Sequence, residues 1–131
     1  MTSSPERFWP LACAASVTVI VMATTLPWSG FVGHPHWANI EWLPFSRRVR
    51  PLDVVLNVLL FVPFGWSALR VARGPVDAAP VVSAALLLSV SVELYQVYCH
   101  GRQPTTIDVI TNTLGAWLGT RLPGRSPASP W

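Results

Sequence analysis

Long apolar runs separated by short polar segments dominate the chain. Four of these runs are predicted to be helices, at about 8–27, 52–71, 78–98 and 105–122. A helix needs about 20 apolar residues to cross about 30 Å of hydrocarbon, and each run approaches that length. The pattern therefore predicts an all-α fold, a four-helix transmembrane bundle in a single domain.

The two ends of the chain allow further predictions. The first apolar run contains no charge, so a cleaved signal peptide is the competing interpretation. The run is longer than a typical signal sequence, and Thr24-Thr25-Leu26-Pro27 is a poor cleavage site, which favours a retained helix. At the other end, the Pro, Gly and Ser content of residues 123–131 predicts a disordered tail.

Composition agrees with a membrane protein. The chain is 51% hydrophobic and 11% charged, whereas soluble domains carry about 25% charged residues. The net charge is +3, and every basic residue is Arg. These arginines flank apolar runs, so lipid head groups are the expected anionic neighbours and nucleic acid is not an expected partner.

Six polar residues interrupt the later apolar runs. They are Asp53 and Asn57 in the second run, Glu93 and Gln96 in the third, and Asp108 and Asn112 in the fourth. The spacing within each pair is three or four residues, which places both members on one face of a helix. A charge at the bilayer centre costs at least about 2.5–3.5 kcal/mol, so such residues need a partner, water or a position near an edge.

Chain connectivity predicts that these six residues share one side of the membrane. The second run begins on the side where the third ends and the fourth begins, and Arg102 lies in the connection there. Asn57, Glu93 and Asn112 lie about five to seven residues inside, or roughly 8–10 Å deep. A structural cluster of interhelical hydrogen bonds is one interpretation, with Arg102 neutralising Glu93 or Asp108. A functional cavity is favoured, because ionisable groups inside membranes usually have a function and three carboxylates exceed what one arginine can pair.

Proline and glycine positions suggest structural roles. Pro63 in the second run is predicted to kink its helix, and Gly65 to help open space for the polar layer. Gly115 and Gly119 form a GxxxG pattern, which permits close helix packing. That packing could occur within the bundle or between copies of the chain as a homo-oligomer.

The segment 28–51 combines Trp and Phe rings with three arginines, as is typical of a loop at head-group level. We predict an interfacial loop without chemistry. His34, His36 and His100 could join carboxylates in a metal site, but no zinc-type ligand spacing is present. We therefore predict no metal and no cofactor.

The motifs around these polar residues resemble the VanZ-like family of bacterial membrane proteins, over about 42–119. Asn57 through Gly65 is similar to the family's N-x-x-x-F-x-P-x-G, and Glu93 through Gln96 to its E-x-x-Q. The stretch from Arg102 through Asp108, Asn112, Gly115 and Gly119 resembles its R…D-x-x-x-N-x-x-G-x-x-x-G. Many members carry another acidic residue between the Arg and the Asp, where this chain has Pro104, Thr105 and Thr106.

The resemblance implies a multi-pass protein of the bacterial plasma membrane that is related to the cell envelope. The founding member is associated with low-level resistance to the glycopeptide teicoplanin, and the family has no established reaction. Arginine counts on the two sides differ by little and lean towards cytoplasmic termini.

Three hypotheses about function remain open. The first is binding of an anionic membrane lipid or a lipid-linked envelope precursor. Arg102 would then engage phosphate, and the ligand would be oriented by Asp53, Asn57, Gln96 and Asn112. The second is an intramembrane enzyme with Glu93 or Asp108 as general base. The third is a transporter accessory or a packing module.

Overall fold

The computed structural model describes residues 5–46, 48–72 and 77–124, with side chains from Arg7 onward. It contains four α-helices: α1 (Pro5–Thr25), α2 (Pro51–Val71), α3 (Ala79–Val97) and α4 (Thr106–Arg121). The predicted all-α fold is confirmed. The largest difference in helix bounds is at the start of α1, predicted near residue 8 and found at Pro5. Most of the predicted disordered tail, residues 125–131, lies outside the described residues.

Local sequence explains where the helices begin and end. Pro51 is the first residue of α2 and Pro80 lies in the first turn of α3, positions where a missing N–H costs nothing. Thr105 caps α4, and its side chain accepts a hydrogen bond from the Asp108 N–H. The helix α1 ends two residues before Pro27, which cannot continue it.

Three of the helices are long and apolar enough to cross a membrane. The spans are Arg7–Thr25, Pro51–Val71 and Ala79–Val97, with mean hydropathies of 1.7, 1.8 and 1.5. The helix α4 has 16 residues, a length of about 24 Å at the helical rise. Large apolar side chains point outward from the bundle, among them Leu59 and Leu87. Such a surface suits lipid and not water.

All four helices contribute to one apolar core. Its buried members are Ile20 of α1, Phe61 and Phe64 of α2, Val81 and Ala85 of α3, and Ala116 of α4. The participation of Ile20 makes α1 part of the bundle, and its retention as a helix stays a prediction.

Glycines bring α2 and α4 into backbone contact. A Cβ on Gly115 would overlap the Val58 carbonyl, and one on Gly119 would overlap the Val62 carbonyl. The GxxxG face therefore packs against α2 of the same chain. A homo-oligomer stays a prediction, and this face is already occupied within the bundle.

Pro63 and Gly65 lie within the uninterrupted α2 helix. A Cβ on Gly65 would overlap the Ala116 carbonyl of α4. We expected Gly65 to open space for the polar layer, and this expectation is wrong, because the glycine lets the two backbones approach. The Pro63 carbonyl accepts a hydrogen bond from Ser67 Oγ at 2.7 Å. The predicted kink at Pro63 stays a prediction.

The segment between α1 and α2 folds back onto the α3–α4 connection. It contains two short 3-10 turns, Trp28–Gly30 and Trp37–Asn39. Isolated bridges pair Phe31 with Cys99 and Glu41 with Thr105. The loop is thereby fixed above the end of the bundle that carries the polar residues.

Candidate functional site

A cavity of about 700 Å³ opens where α2 begins, α3 ends and α4 begins. All seven charged or amide residues proposed from the sequence line it. They are Asp53, Asn57, Glu93, Gln96, Arg102, Asp108 and Asn112. The structure thus brings the residues of three helices and one loop into a single site. Their binding or catalytic roles stay predictions.

The cavity has an exposed mouth and a buried floor. At the mouth, Arg48, Arg50 and Asp53 are exposed. At the floor, Glu93 is 9% exposed and Asn112 is 3% exposed. Arg102, Asn57 and Asp108 lie between these extremes and are half-buried.

A hydrogen-bond network at the start of α4 holds the two inner carboxylates. Thr105 and Asp108 have the spacing of a capping box, in which the acidic side chain normally returns to the N–H of the capping residue. Here Glu93 Oε2 accepts from the Thr105 N–H at 2.9 Å instead. The Asp108 carboxylate is thereby free to accept from Asn57 Nδ2 at 2.7 Å. One backbone N–H thus links α3 to α4, and one amide links α2 to α4.

Asn112 joins α4 to α3 from the floor. Its Nδ2 donates to Ser89 Oγ at 2.9 Å, and Ser89 is fully buried. Its Oδ1 is buried and has no hydrogen-bond partner among the described residues. A buried acceptor without a donor is costly, so this oxygen is a feature that requires explanation.

Gln96 and Arg102 attach the site to the end of α1. Gln96 Nε2 donates to the Thr24 carbonyl at 3.1 Å, and an Arg102 Nη donates to the Leu26 carbonyl. Both carbonyls lie in the last turn of α1 or just beyond it, where helices leave oxygens without partners. Within the part of the chain that the structure describes, the hydrogen bond of Arg102 goes to this carbonyl and not to Glu93 or Asp108. Arg102 therefore makes no direct hydrogen bond to either carboxylate, and its neutralisation of Glu93 or Asp108 stays a prediction.

Comparison with known proteins gives these residues a family context. The family model described as VanZ/LLP1 matches residues 9–122, most of the chain. The chain belongs to the VanZ/LLP1 family. It is also similar to Protein VanZ of Enterococcus faecium, with 34% identity over 92 residues that cover 70% of this chain. The chain spans 56% of the length of that relative. No solved structure matches it.

The predicted resemblance to VanZ-like proteins is thus confirmed, and the match begins earlier than the predicted residue 42. It extends to residue 9 and so includes α1. This range agrees with the packing of Ile20 in the common core and with the hydrogen bond from Gln96 to Thr24.

Several residues of the cavity and of its hydrogen-bond network were missed in the sequence. Asn39 and Glu41 reach the cavity from the loop that we predicted to have no chemistry. Their positions depend on the bridge between Glu41 and Thr105, which the sequence does not reveal. Ser89 could have been found, because it lies four residues before Glu93 on the same face of α3. Thr105 could also have been found from its capping-box spacing to Asp108.

The chemistry available to this VanZ-like cavity is that of polar recognition with a buried carboxylate. Among the described residues, no three His, Cys, Asp or Glu side chains are placed to hold a metal ion. Arginines supply fixed positive charge at the mouth, and amides and carboxylates supply donors and acceptors further inside.

Proposed function

We propose that this VanZ-like protein binds an anionic lipid, or a lipid-linked envelope precursor, with its head group in the polar cavity. The observation that carries the proposal is the cavity of about 700 Å³ lined by Arg48, Arg50 and Arg102 at the helix ends of a membrane bundle. Helix ends lie at head-group level in a bilayer, where lipid phosphates are found.

Arg102 is the residue best placed to engage phosphate. One of its nitrogens bonds the Leu26 carbonyl, which fixes the side chain. A guanidinium carries five N–H donors, so further donors remain for a ligand. Its planar fork matches two phosphate oxygens, and such charge-assisted bonds are stronger than neutral ones.

An apolar groove beside the cavity favours a lipid over a soluble anion. The groove has a volume of about 310 Å³ and lies along α3 and α4. Its apolar residues include Val90, Leu94 and Ile110, and it shares Glu93 and Thr105 with the polar cavity. A polar cavity adjoining an apolar groove suits a molecule with a head group and a hydrocarbon chain.

An enzyme acting on such a lipid is the second candidate. Glu93 is 9% exposed, and one of its oxygens is held by the Thr105 N–H at 2.9 Å. A buried, oriented carboxylate at a cavity is suited to act as a general base. If Glu93→Gln retains the wild-type rate in a lipid-turnover assay while remaining folded, this candidate fails.

An orientation is part of the proposal, and it rests on a small excess of arginines in the sequence on the side of the termini. Arg7, Arg70 and Arg121 lie at the end of the bundle opposite the cavity, whereas Arg47, Arg73 and Arg125 lie outside the described residues. We expect cytoplasmic termini and a cavity that faces the cell wall. A reporter that works only in the cytoplasm should be active when it is fused after residue 131. Activity there of a reporter that works only outside the cytoplasm would contradict this orientation.

Lipid copurification tests the binding proposal. The full chain is extracted in mild detergent, and bound phospholipid is quantified by mass spectrometry for the wild type, Arg102→Ala and Arg70→Ala. We expect Arg102→Ala to lose most of the bound anionic lipid, since about 1.5–3 kcal/mol of charged hydrogen bonding is removed. Arg70→Ala removes the same charge at the opposite end and controls for overall charge. Equal lipid content in all three proteins would contradict the proposal.

A further inference from the structure

Among residues 5–46, 48–72 and 77–124, more carboxylates than guanidinium groups line the cavity, and this excess restricts the head group that it can take. Of those described residues, three arginines line it, Arg48, Arg50 and Arg102, against four carboxylates, Glu41, Asp53, Glu93 and Asp108. A bare phosphate in contact with all of these groups would meet repulsion from the carboxylates, which is strong where water is partly excluded. Phosphate alone is therefore an incomplete match for the cavity.

The most exposed guanidinium groups and the most buried carboxylate of the cavity occupy different depths, with Asp53 beside the arginines at the mouth. Arg48 and Arg50 precede α2 and are exposed, and Arg102 lies in the α3–α4 connection. Glu93 lies inside α3, four residues before its last residue Val97, about 6 Å along the helix axis. Asp108 is in the first turn of α4 and is half-buried. A ligand that enters from the mouth first meets guanidinium groups together with Asp53, and meets the acceptors of Glu93 and Asn112 at the floor.

The floor has acceptors that the protein itself does not fully satisfy. Within residues 5–46, 48–72 and 77–124, Glu93 Oε2 accepts from the Thr105 N–H, and Asp108 Oδ1 accepts from Asn57. The Thr105 hydroxyl is a further hydrogen-bond partner of Asp108, so of these two carboxylates Glu93 has the oxygen that remains for other donors. Independently, Asn112 is 3% exposed, lines the cavity and has an Oδ1 without any partner in those residues. Within the described chain, one oxygen of Glu93 and the Oδ1 of Asn112 thus lack hydrogen-bond donors, and neither acceptor favours a phosphate oxygen.

We infer that the cavity takes a phosphodiester whose head group itself carries hydrogen-bond donors, hydroxyl or ammonium, with the phosphate at the arginines and the donors at Glu93 and Asn112. This inference rests on the proposed lipid binding and specifies its ligand. Phosphatidic acid lacks such donors beyond its own phosphate. Phosphatidylcholine has a cationic head group without N–H or O–H groups.

Binding of four lipids that differ only in head group tests the inference. The full chain in detergent is titrated separately with phosphatidic acid, phosphatidylcholine, phosphatidylglycerol and phosphatidylethanolamine, all with the same acyl chains. The lipid-bound fraction is read by native mass spectrometry. We expect phosphatidylglycerol, phosphatidylethanolamine or both to bind about tenfold more tightly than the other two, as one or two added hydrogen bonds would give. Tighter binding of phosphatidylglycerol identifies hydroxyl donors, tighter binding of phosphatidylethanolamine identifies ammonium donors, and equal binding shows that either serves.

Glu93→Gln tests the role of the hydrogen-bond acceptor at the floor of the cavity. A glutamine can keep its oxygen on the Thr105 N–H and then presents an NH₂ group to the cavity, so that an acceptor becomes a donor. We expect this variant to lose the preference for donor-bearing head groups and to bind phosphatidic acid more tightly. Asp108→Asn makes the same exchange beside Asn57 and serves if Glu93→Gln does not fold. Asp77→Asn is the matched control, because Asp77 is an exposed carboxylate in the α2–α3 connection.

The outcomes separate this inference from the proposed function. If phosphatidic acid binds the wild type as tightly as the donor-bearing lipids, the inference is overturned and lipid binding stands. The inference is also overturned if the preference for donor-bearing head groups is the same in Glu93→Gln and Asp108→Asn as in the control Asp77→Asn. If none of the four lipids binds, and Arg102→Ala changes nothing, the proposed function fails as well.

Discussion

The two ends of the bundle use arginine in opposite ways. At the end without the cavity, Arg70 donates to the Trp66 and Leu122 carbonyls, both at 2.7 Å. Its guanidinium also lies over the rings of Trp9 and Trp66, at 5.2 and 5.3 Å from the ring centroids. At the cavity end, Arg102 has one carbonyl partner and lines an open space. Both side chains are half-buried, so burial alone does not distinguish them.

This difference separates a structural arginine from one available to a ligand. Two donors of Arg70 and its ring-facing surface are engaged by the chain that carries it, and the Trp9 and Trp66 rings are themselves packed edge to face at 5.1 Å. Among the residues that the structure describes, the cavity end instead leaves Asn112 Oδ1 without a hydrogen-bond partner. Polar groups left open in a membrane protein are costly and therefore indicate a function.

The largest loss of stability is expected from substitutions in the α2–α4 contact, which runs from the cavity end to the end without the cavity. Gly115→Ala places a Cβ against the Val58 carbonyl, beside Asn57. Gly119→Ala places one against the Val62 carbonyl, nearer the end without the cavity. We expect each variant to lose about 3 kcal/mol of unfolding free energy in detergent, because backbone must move. Only Gly115→Ala should also reduce lipid retention. Gly30→Ala is the control, since its Cβ would lie 3.8 Å from the nearest carbonyl oxygen. Equal stability of all three variants would contradict this role of the glycines.

The next effect compares the two arginines directly. Arg70→Ala should lower the unfolding free energy by about 2 kcal/mol, because two carbonyls and two indole rings lose a partner. Arg102→Ala should lower it by about 1 kcal/mol, because a single carbonyl loses its partner. Chemical denaturation followed by Trp fluorescence measures both values. A larger loss of unfolding free energy for Arg102→Ala than for Arg70→Ala would contradict the assignment of Arg70 as structural and of Arg102 as available to a ligand.

A double-mutant cycle tests the hydrogen bond between Asn57 and Asp108 at the cavity end. We expect a coupling energy of about 1.5 kcal/mol between Asn57→Ala and Asp108→Ala, as is usual for side chains in direct contact. The exposed amide Asn39, which lines the same cavity, supplies the control pair with Asp108, for which coupling near zero is expected. Equal coupling in the two cycles would mean that the bond at 2.7 Å has no specific energetic effect.

The smallest effect concerns the cap of α4. Thr105→Val keeps the side-chain shape but removes the oxygen that accepts from the Asp108 N–H at 3.1 Å. We expect a loss of about 1 kcal/mol in unfolding free energy, the usual value for a capping hydroxyl. Thr113→Val removes a hydroxyl that bonds the Val109 carbonyl within the same helix and should cost less. If the control costs as much as Thr105→Val, the capping role is not supported.

The sequence by itself determined the four helices, their bounds to within a few residues and the gathering of polar residues at one end. Helix length and hydropathy are local properties, and the alternation of direction along connected helices fixes which helix ends meet. The shared position of Asn57, Glu93 and Asn112 follows from these two facts alone.

Only the tertiary structure decided which partner each polar group takes. Arg102 bonds the Leu26 carbonyl instead of a carboxylate, and Glu93 takes the N–H of Thr105 from the connection to α4. Glu41 reaches the cavity through a bridge to Thr105 from a distant loop. These hydrogen-bond partners depend on the rotation of each helix about its axis and on how the loops close, because a hydrogen bond forms only when donor and acceptor lie about 3 Å apart. Residue spacing along one chain does not contain that information.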